Sequence, residues 1–241
     1  MKKLNWHNIR LVIILFVMVF LYSFSSNRSK NRIVKEVNIS FAAGQENLFI
    51  THEMVNNLLI QNLGSLSNIK KDKVDLNTLE TVLDDHEMIE KAEVFSTIDG
   101  SLSAHIIQKT PIVRYLSGNA TYYLDNKGDK MPLSENFSAR VPLVAGNFVD
   151  KNKAGYIELF NEIEKDNFLK KDITGIKILP SGSVVLTNRN YDYKIIFGNP
   201  VQIDKKLKNY KAFYQHAIKD TLIKNYKEVN LMFTEQVVCK K

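Results

Sequence analysis

The chain has 241 residues, 44% of them hydrophobic and 10% aromatic, with a net charge of +7 and one cysteine, Cys239. Residues 1–32 hold six Lys/Arg and no Asp/Glu, which leaves 27 basic against 26 acidic residues for the rest, so a basic nucleic-acid-binding domain is excluded. A lone cysteine forms no internal disulfide, so any exported fold must be held by packing.

Leu11–Leu21 reads LVIILFVMVFL, an unbroken apolar run with Lys2, Lys3 and Arg10 before it and Arg28, Lys30 and Arg32 after it. Two readings fit. A secretory signal has an apolar stretch of roughly 7–15 residues and a small-x-small cleavage site, for which Ser23-Phe24-Ser25 is a poor match. A membrane span needs about 20 apolar residues. Trp6 to Phe24 nearly supplies them if Arg10 snorkels, with Trp6 and Tyr22 at the two interfaces. In that reading Leu11, Ile14, Phe16, Val19 and Leu21 are anchor residues. Both readings carry the C-terminal bulk across a membrane, and the short N-terminal tail favours N-in, C-out.

Beyond a polar linker, Val34–Phe41 alternates with period two and predicts a strand. Thr51 is a good N-cap for a helix with Val55, Leu58, Leu59 and Leu63 on one face and Gly64 as its C-cap. Asp75 opens a second helix through Leu76, Leu79, Val82 and Leu83. Ala92–Ile98 and Ser101–Lys109 flank Asp99-Gly100, a strong hairpin signal, and Thr110-Pro111 closes a unit of order βααββ.

The second half turns strand-rich. Tyr122–Leu124 and Met131–Leu133 flank the turn Asp125–Gly128, and Val141–Gly146 is extended. Ala154–Lys165 predicts a helix with Ile157, Phe160 and Ile163 on its face. Strands follow over Ile173–Leu179, Val184–Thr187 and Tyr191–Phe197, then an amphipathic helix through Ile203, Leu207, Tyr210, Phe213, Tyr214 and Ala217. Val229–Phe233 and Gln236–Cys239 read as final strands, the last an open sheet edge.

This order of elements resembles the FtsQ/DivIB family of bacterial cell-division proteins. The resemblance rests on Met88–Val94, the hairpin, Lys109-Thr-Pro-Ile-Val113, Tyr122–Gly128 and Val141–Gly146. The family's late Val-Asp-Leu-Arg-Tyr strand becomes Val229-Asn-Leu-Met-Phe233 here, keeping the alternation and dropping the charges. The resemblance implies an α+β fold: a cytoplasmic tail over 1–8, a transmembrane signal-anchor over 9–26 and a linker over 27–32. A POTRA-like βααββ domain over 33–110 and a mixed or antiparallel β domain with flanking helices over 111–241 complete it. With no good cleavage site, it favours the uncleaved anchor.

No catalytic, cofactor-binding or metal-binding constellation is legible. His86-Glu-Met-Ile-Glu90 is half of a zinc-protease helix, with Glu90 where the second histidine belongs. His52-Glu53 suits a first helical turn, His105 a strand surface, and Cys239 lacks a base nearby in sequence. The chain is therefore read as a non-catalytic scaffold with no cofactor, small-molecule substrate or nucleic-acid partner. The resemblance implies FtsB- and FtsL-like single-span partners, a link to septal peptidoglycan synthesis, and a place in the inner membrane at the septum with the domains periplasmic. It assigns the FtsB contact to Val229–Cys239, with Val229, Leu231, Phe233, Gln236 and Val238 as candidates. Two other readings stand beside it: a POTRA-bearing translocation or secretion component, and an exported hydrolase with an unrecognised site.

Overall fold

The computed structural model describes residues 6–30, 33, 34, 36–44, 49–63, 70, 73–97, 99–118, 120–219 and 222–241. The expected roles of Gly64 and Ile98, and the side chain of Leu63, lie outside the described residues. Helix α1 runs Trp6–Lys30, about 37 Å at the α-helical rise and enough to cross a hydrocarbon core of about 30 Å. Its stretch Ile9–Arg28 has a mean hydropathy of 2.2 and is not buried. The expected anchor residues Leu11, Ile14, Phe16, Val19 and Leu21 are all exposed on it. One apolar N-terminal helix of this length is consistent with membrane anchoring.

The chain divides into two compact units between Gln108 and Lys109. In the first, β1 (Val37–Phe41), α2 (His52–Leu63), α3 (Leu76–Asp84), β2 (Ile89–Ser96) and β3 (Leu102–Gln108) follow in the expected order. The sheet is ordered β1-β3-β2, with β1 parallel and β2 antiparallel to β3. Both expected caps form: the Thr51 hydroxyl accepts the Met54 amide at 3.2 Å, and Asp75 accepts the Thr78 amide and hydroxyl. Such caps satisfy amides that a helix start leaves without partners. Val55, Leu59, Leu79 and Leu83 are buried from the helices, and Val94, Leu102, Ala104 and Ile106 from the sheet.

The hairpin differs from its prediction. Gly100 N–H donates to Thr97 O, and Thr97 N–H donates to Ser101 O at 2.9 Å. The loop therefore holds three residues instead of the two of an Asp99-Gly100 turn. Gly100, at φ +96°, takes the left-handed position that a three-residue loop requires.

Among the described residues, the second unit is built on a nine-stranded mixed sheet. Its strands are β4 (Pro111–Ser117), β5 (Ala120–Asp125), β6 (Lys130–Met131), β7 (Leu143–Ala145), β8 (Ile173–Ile178), β9 (Val184–Asn188), β10 (Lys194–Gly198), β11 (Glu228–Asn230) and β12 (Val238–Lys240). Their spatial order is β12-β11-β10-β9-β8-β7-β4-β5-β6, with β4–β7, β7–β8 and β10–β11 parallel. Helices α4 (Lys153–Lys165), α5 (Asn167–Asp172) and α6 (Ile203–Lys219) join the strands in one core through Tyr156, Phe160, Leu169, Leu207 and Tyr210.

One strand and one α-helix go beyond the predicted set. Pro111, read as a closing residue, is the first residue of β4, where its missing amide costs the ladder nothing. Helix α5 is six residues long and starts on Asp166, whose carboxylate accepts the amides of Phe168 and Leu169. Near the end, Val229–Phe233 is not one strand. Asn230 Oδ1 turns back to accept the Met232 amide at 2.8 Å, which ends β11.

Candidate interaction surface

The terminal sheet edge is assembled from the last fourteen residues and α6. β11 pairs with β10 on one side and β12 on the other, in the register Glu228–Lys240, Val229–Cys239 and Asn230–Val238. β12 ends the sheet order, so its outer side faces no strand among the described residues. Such a side offers bare amides and carbonyls to another chain. The loop between the two strands is tied to α6. Asn209 donates to Thr234 O at 2.9 Å, and Lys205 pairs with Glu235.

Alternation along β12 sorts its side chains. Val238 and Lys240 are exposed. Cys239 is half-buried and packs on the core, and burial pushes its thiol above the ordinary cysteine range, away from the reactive thiolate. Beside it lies a groove of about 390 Å³ lined by Phe213, His216, Tyr226, Gln236, Val237 and Cys239.

The five residues expected at a partner contact do not share one environment. Val229 and Leu231 are buried, 0% and 1% exposed, inside the domain's own core. Both side chains are therefore turned to the domain's own core, unlike the surface position expected of a contact residue. Phe233, Gln236 and Val238 are exposed around β12. Met232, where the resemblance expects a charge, lies over Gly198, where an added Cβ would come within 2.7 Å of its Cγ.

The residues singled out for chemistry fall apart in space and role. His86 Nδ1 accepts the Met88 amide at 3.2 Å, and burial lowers the pKa of the ring. The His52 ring meets Phe41 edge-on, and His105 Nδ1 lies 3.1 Å from the Ser40 hydroxyl. No group of three His, Cys, Asp or Glu residues among the described residues converges as a metal site.

Two buried polar groups were not legible in the sequence. Tyr210 donates to Asp172 Oδ2 at 2.6 Å, and the Tyr193 hydroxyl lies 3.0 Å from that of Tyr210. Burial raises the Asp172 carboxyl above its ordinary value, opposed by the Tyr210 hydrogen bond and by Arg189. Lys206, in the first half of α6, donates to the carbonyls of Phe197 and Asn199, both at 2.9 Å, and lies over the Phe197 ring. The first group ties α6 to α5 and to the residue before β10, and the second ties α6 to the end of β10.

Residues 32–107 match the model of a POTRA-like domain, and residues 110–240 that of "FtsQ/DivIB, C-terminal related". No curated protein matches the chain. With the second match covering more than half of the sequence, and the POTRA-like unit and apolar helix before it, the chain belongs to the FtsQ/DivIB family, whose members are generally non-catalytic cell-division scaffolds.

Proposed function

We propose that this protein is a non-catalytic, single-span scaffold of the divisome that binds FtsB- and FtsL-like partners and links them to septal peptidoglycan synthesis. The observation that carries the reading is the outer side of β12, which no strand covers among the described residues, with Val238 exposed on that strand and Phe233 and Gln236 exposed in the loop before it. An extended partner segment adds there as a tenth strand, main-chain hydrogen bonds giving affinity and the flanking side chains giving specificity. Residues 1–8 stay in the cytoplasm, 9–26 span the inner membrane, and the segments over 33–110 and 111–241 work in the periplasm at the septum. The span confines both to the membrane surface, which raises the effective concentration of weak partners held in the same membrane.

Depletion in the source bacterium, with a fluorescent fusion for localisation, tests this reading. Filamentous cells and a septal fusion are the expected results. Cells of normal length after depletion overturn it.

A further inference from the structure

The first folded unit carries a sheet edge of a different kind. β2 is an outer strand of the β1-β3-β2 sheet, so alternate amides along it point away from β3. Two of those amides are taken by side chains of α3. Glu80 Oε1 accepts the Val94 N–H at 2.7 Å, and Asp84 Oδ1 accepts the Ala92 N–H at 2.6 Å. The spacing explains the match. One helical turn advances about 5.4 Å and two strand residues about 6.7 Å, so carboxylates four apart meet successive outward amides. Helix packing aims them: Leu79 and Leu83 are buried, and each acidic residue directly follows one of these anchors.

A carboxylate accepting from an amide makes a charge-assisted bond, of the stronger class. The surroundings add charge of the same sign. From 80 to 93 the chain carries Glu80, Asp84, Asp85, Glu87, Glu90 and Glu93 against Lys91 alone, and Lys91 is paired to Glu93 at 2.6 Å.

We propose that α3 guards this edge: Glu80 and Asp84 close β2 to strand addition in the free protein, and the partner that opens it is an extended peptide with Lys or Arg at alternate positions. Its backbone carbonyls take over the Ala92 and Val94 amides, and its cations take over the two displaced carboxylates. A neutral or acidic strand brings no cation to the two displaced carboxylates, which lie at the surface with only water as donor, and so binds more weakly. The surface is separate from the β12 edge and does not rest on the proposed function.

The test uses the full chain in mild detergent, with hydrogen exchange read by mass spectrometry over residues 90–97. Glu80→Ala and Asp84→Ala, made singly, should each speed exchange there by about tenfold, while Glu80→Gln, which keeps an acceptor, falls between. The binding probes are nine-residue peptides of alternating Lys-Thr and Ser-Thr. Wild type should gain protection at 90–97 from the Lys-Thr peptide only, and the double alanine variant from both. Exchange unchanged in both single variants overturns the proposal. So does equal protection of wild type by the two peptides, or Lys-Thr binding that leaves 90–97 untouched. If the double variant does not fold, the single variants decide by the same criteria.

Discussion

Gly146→Ala should damage the second unit more than any other single methyl group added to its turns. Gly146 follows β7 at φ +103°, which L side chains rarely adopt, and an added Cβ would lie 2.1 Å from the Ile178 carbonyl oxygen. The obstacle is backbone of β8, so no side chain can swing aside. The Gly146 carbonyl also accepts the Tyr115 hydroxyl at 2.6 Å, so moving it disturbs β4 as well. Backbone strain at such a position costs about 1–3 kcal/mol, and forced overpacking typically costs about as much again. We therefore expect a loss of roughly 3–5 kcal/mol, a large part of the stability of an ordinary domain. Gly118→Ala is the control: φ is +58° and an added Cβ meets nothing within 4 Å, so only left-handed strain of about 1–2 kcal/mol remains. Urea unfolding followed by tyrosine fluorescence reports the right unit, since every tyrosine except Tyr22 lies in it. The Gly146→Ala midpoint should fall by roughly 2 M and the Gly118→Ala midpoint by roughly 1 M or less. Equal shifts would refute the close-approach argument.

Three further outcomes follow from the buried polar groups. Tyr210→Phe leaves the Asp172 carboxylate without its hydroxyl donor and should cost about 2–3 kcal/mol in the same urea assay. Because burial raises Asp172's pKa, its contribution is fully present below the unfolded-state value and is lost as pH rises through the folded one. Asp172→Asn removes that loss while keeping an acceptor for Tyr210, so the variant should gain on wild type between pH 3 and pH 7. A variant that falls behind over this range contradicts the assignment. Lys206→Ala strips two carbonyls of a buried cationic donor and should cost about 3 kcal/mol, with Lys206→Met restoring only the packing over Phe197.

The elements with strong local signals were legible in the sequence. The Thr51 and Asp75 caps, the Asp125–Gly128 turn and the period of α6 are short-range physics, and the structure reproduces each. Elements that depend on long-range packing were hidden. Pro111 reads as a breaker until its place at the start of β4 is known, and α5 is too short to display a helical period. Alternation marked Val229–Phe233 but could not say which residues face inward. The turn at Asn230 and pairing with β10 and β12 decide that, burying Val229 and Leu231. Lys206 looks like one more surface lysine in a basic helix. Its burial depends on two carbonyls at the end of β10. Tyr210 and Asp172 are 38 residues apart, and nothing local joins them.

The central claim is that the outer edge of β12 takes up the partner, and a charge placed on that edge tests it most directly. Val238→Asp, in an exposed position on β12, should abolish co-purification of an FtsB-like partner from membranes. A buried charge at such a contact costs at least about 2 kcal/mol, or roughly thirtyfold in affinity. Leu133→Asp, also exposed but beyond β6 at the opposite end of the sheet, should leave recovery at the wild-type level. Wild-type recovery of the partner by a folded Val238→Asp protein would contradict the account.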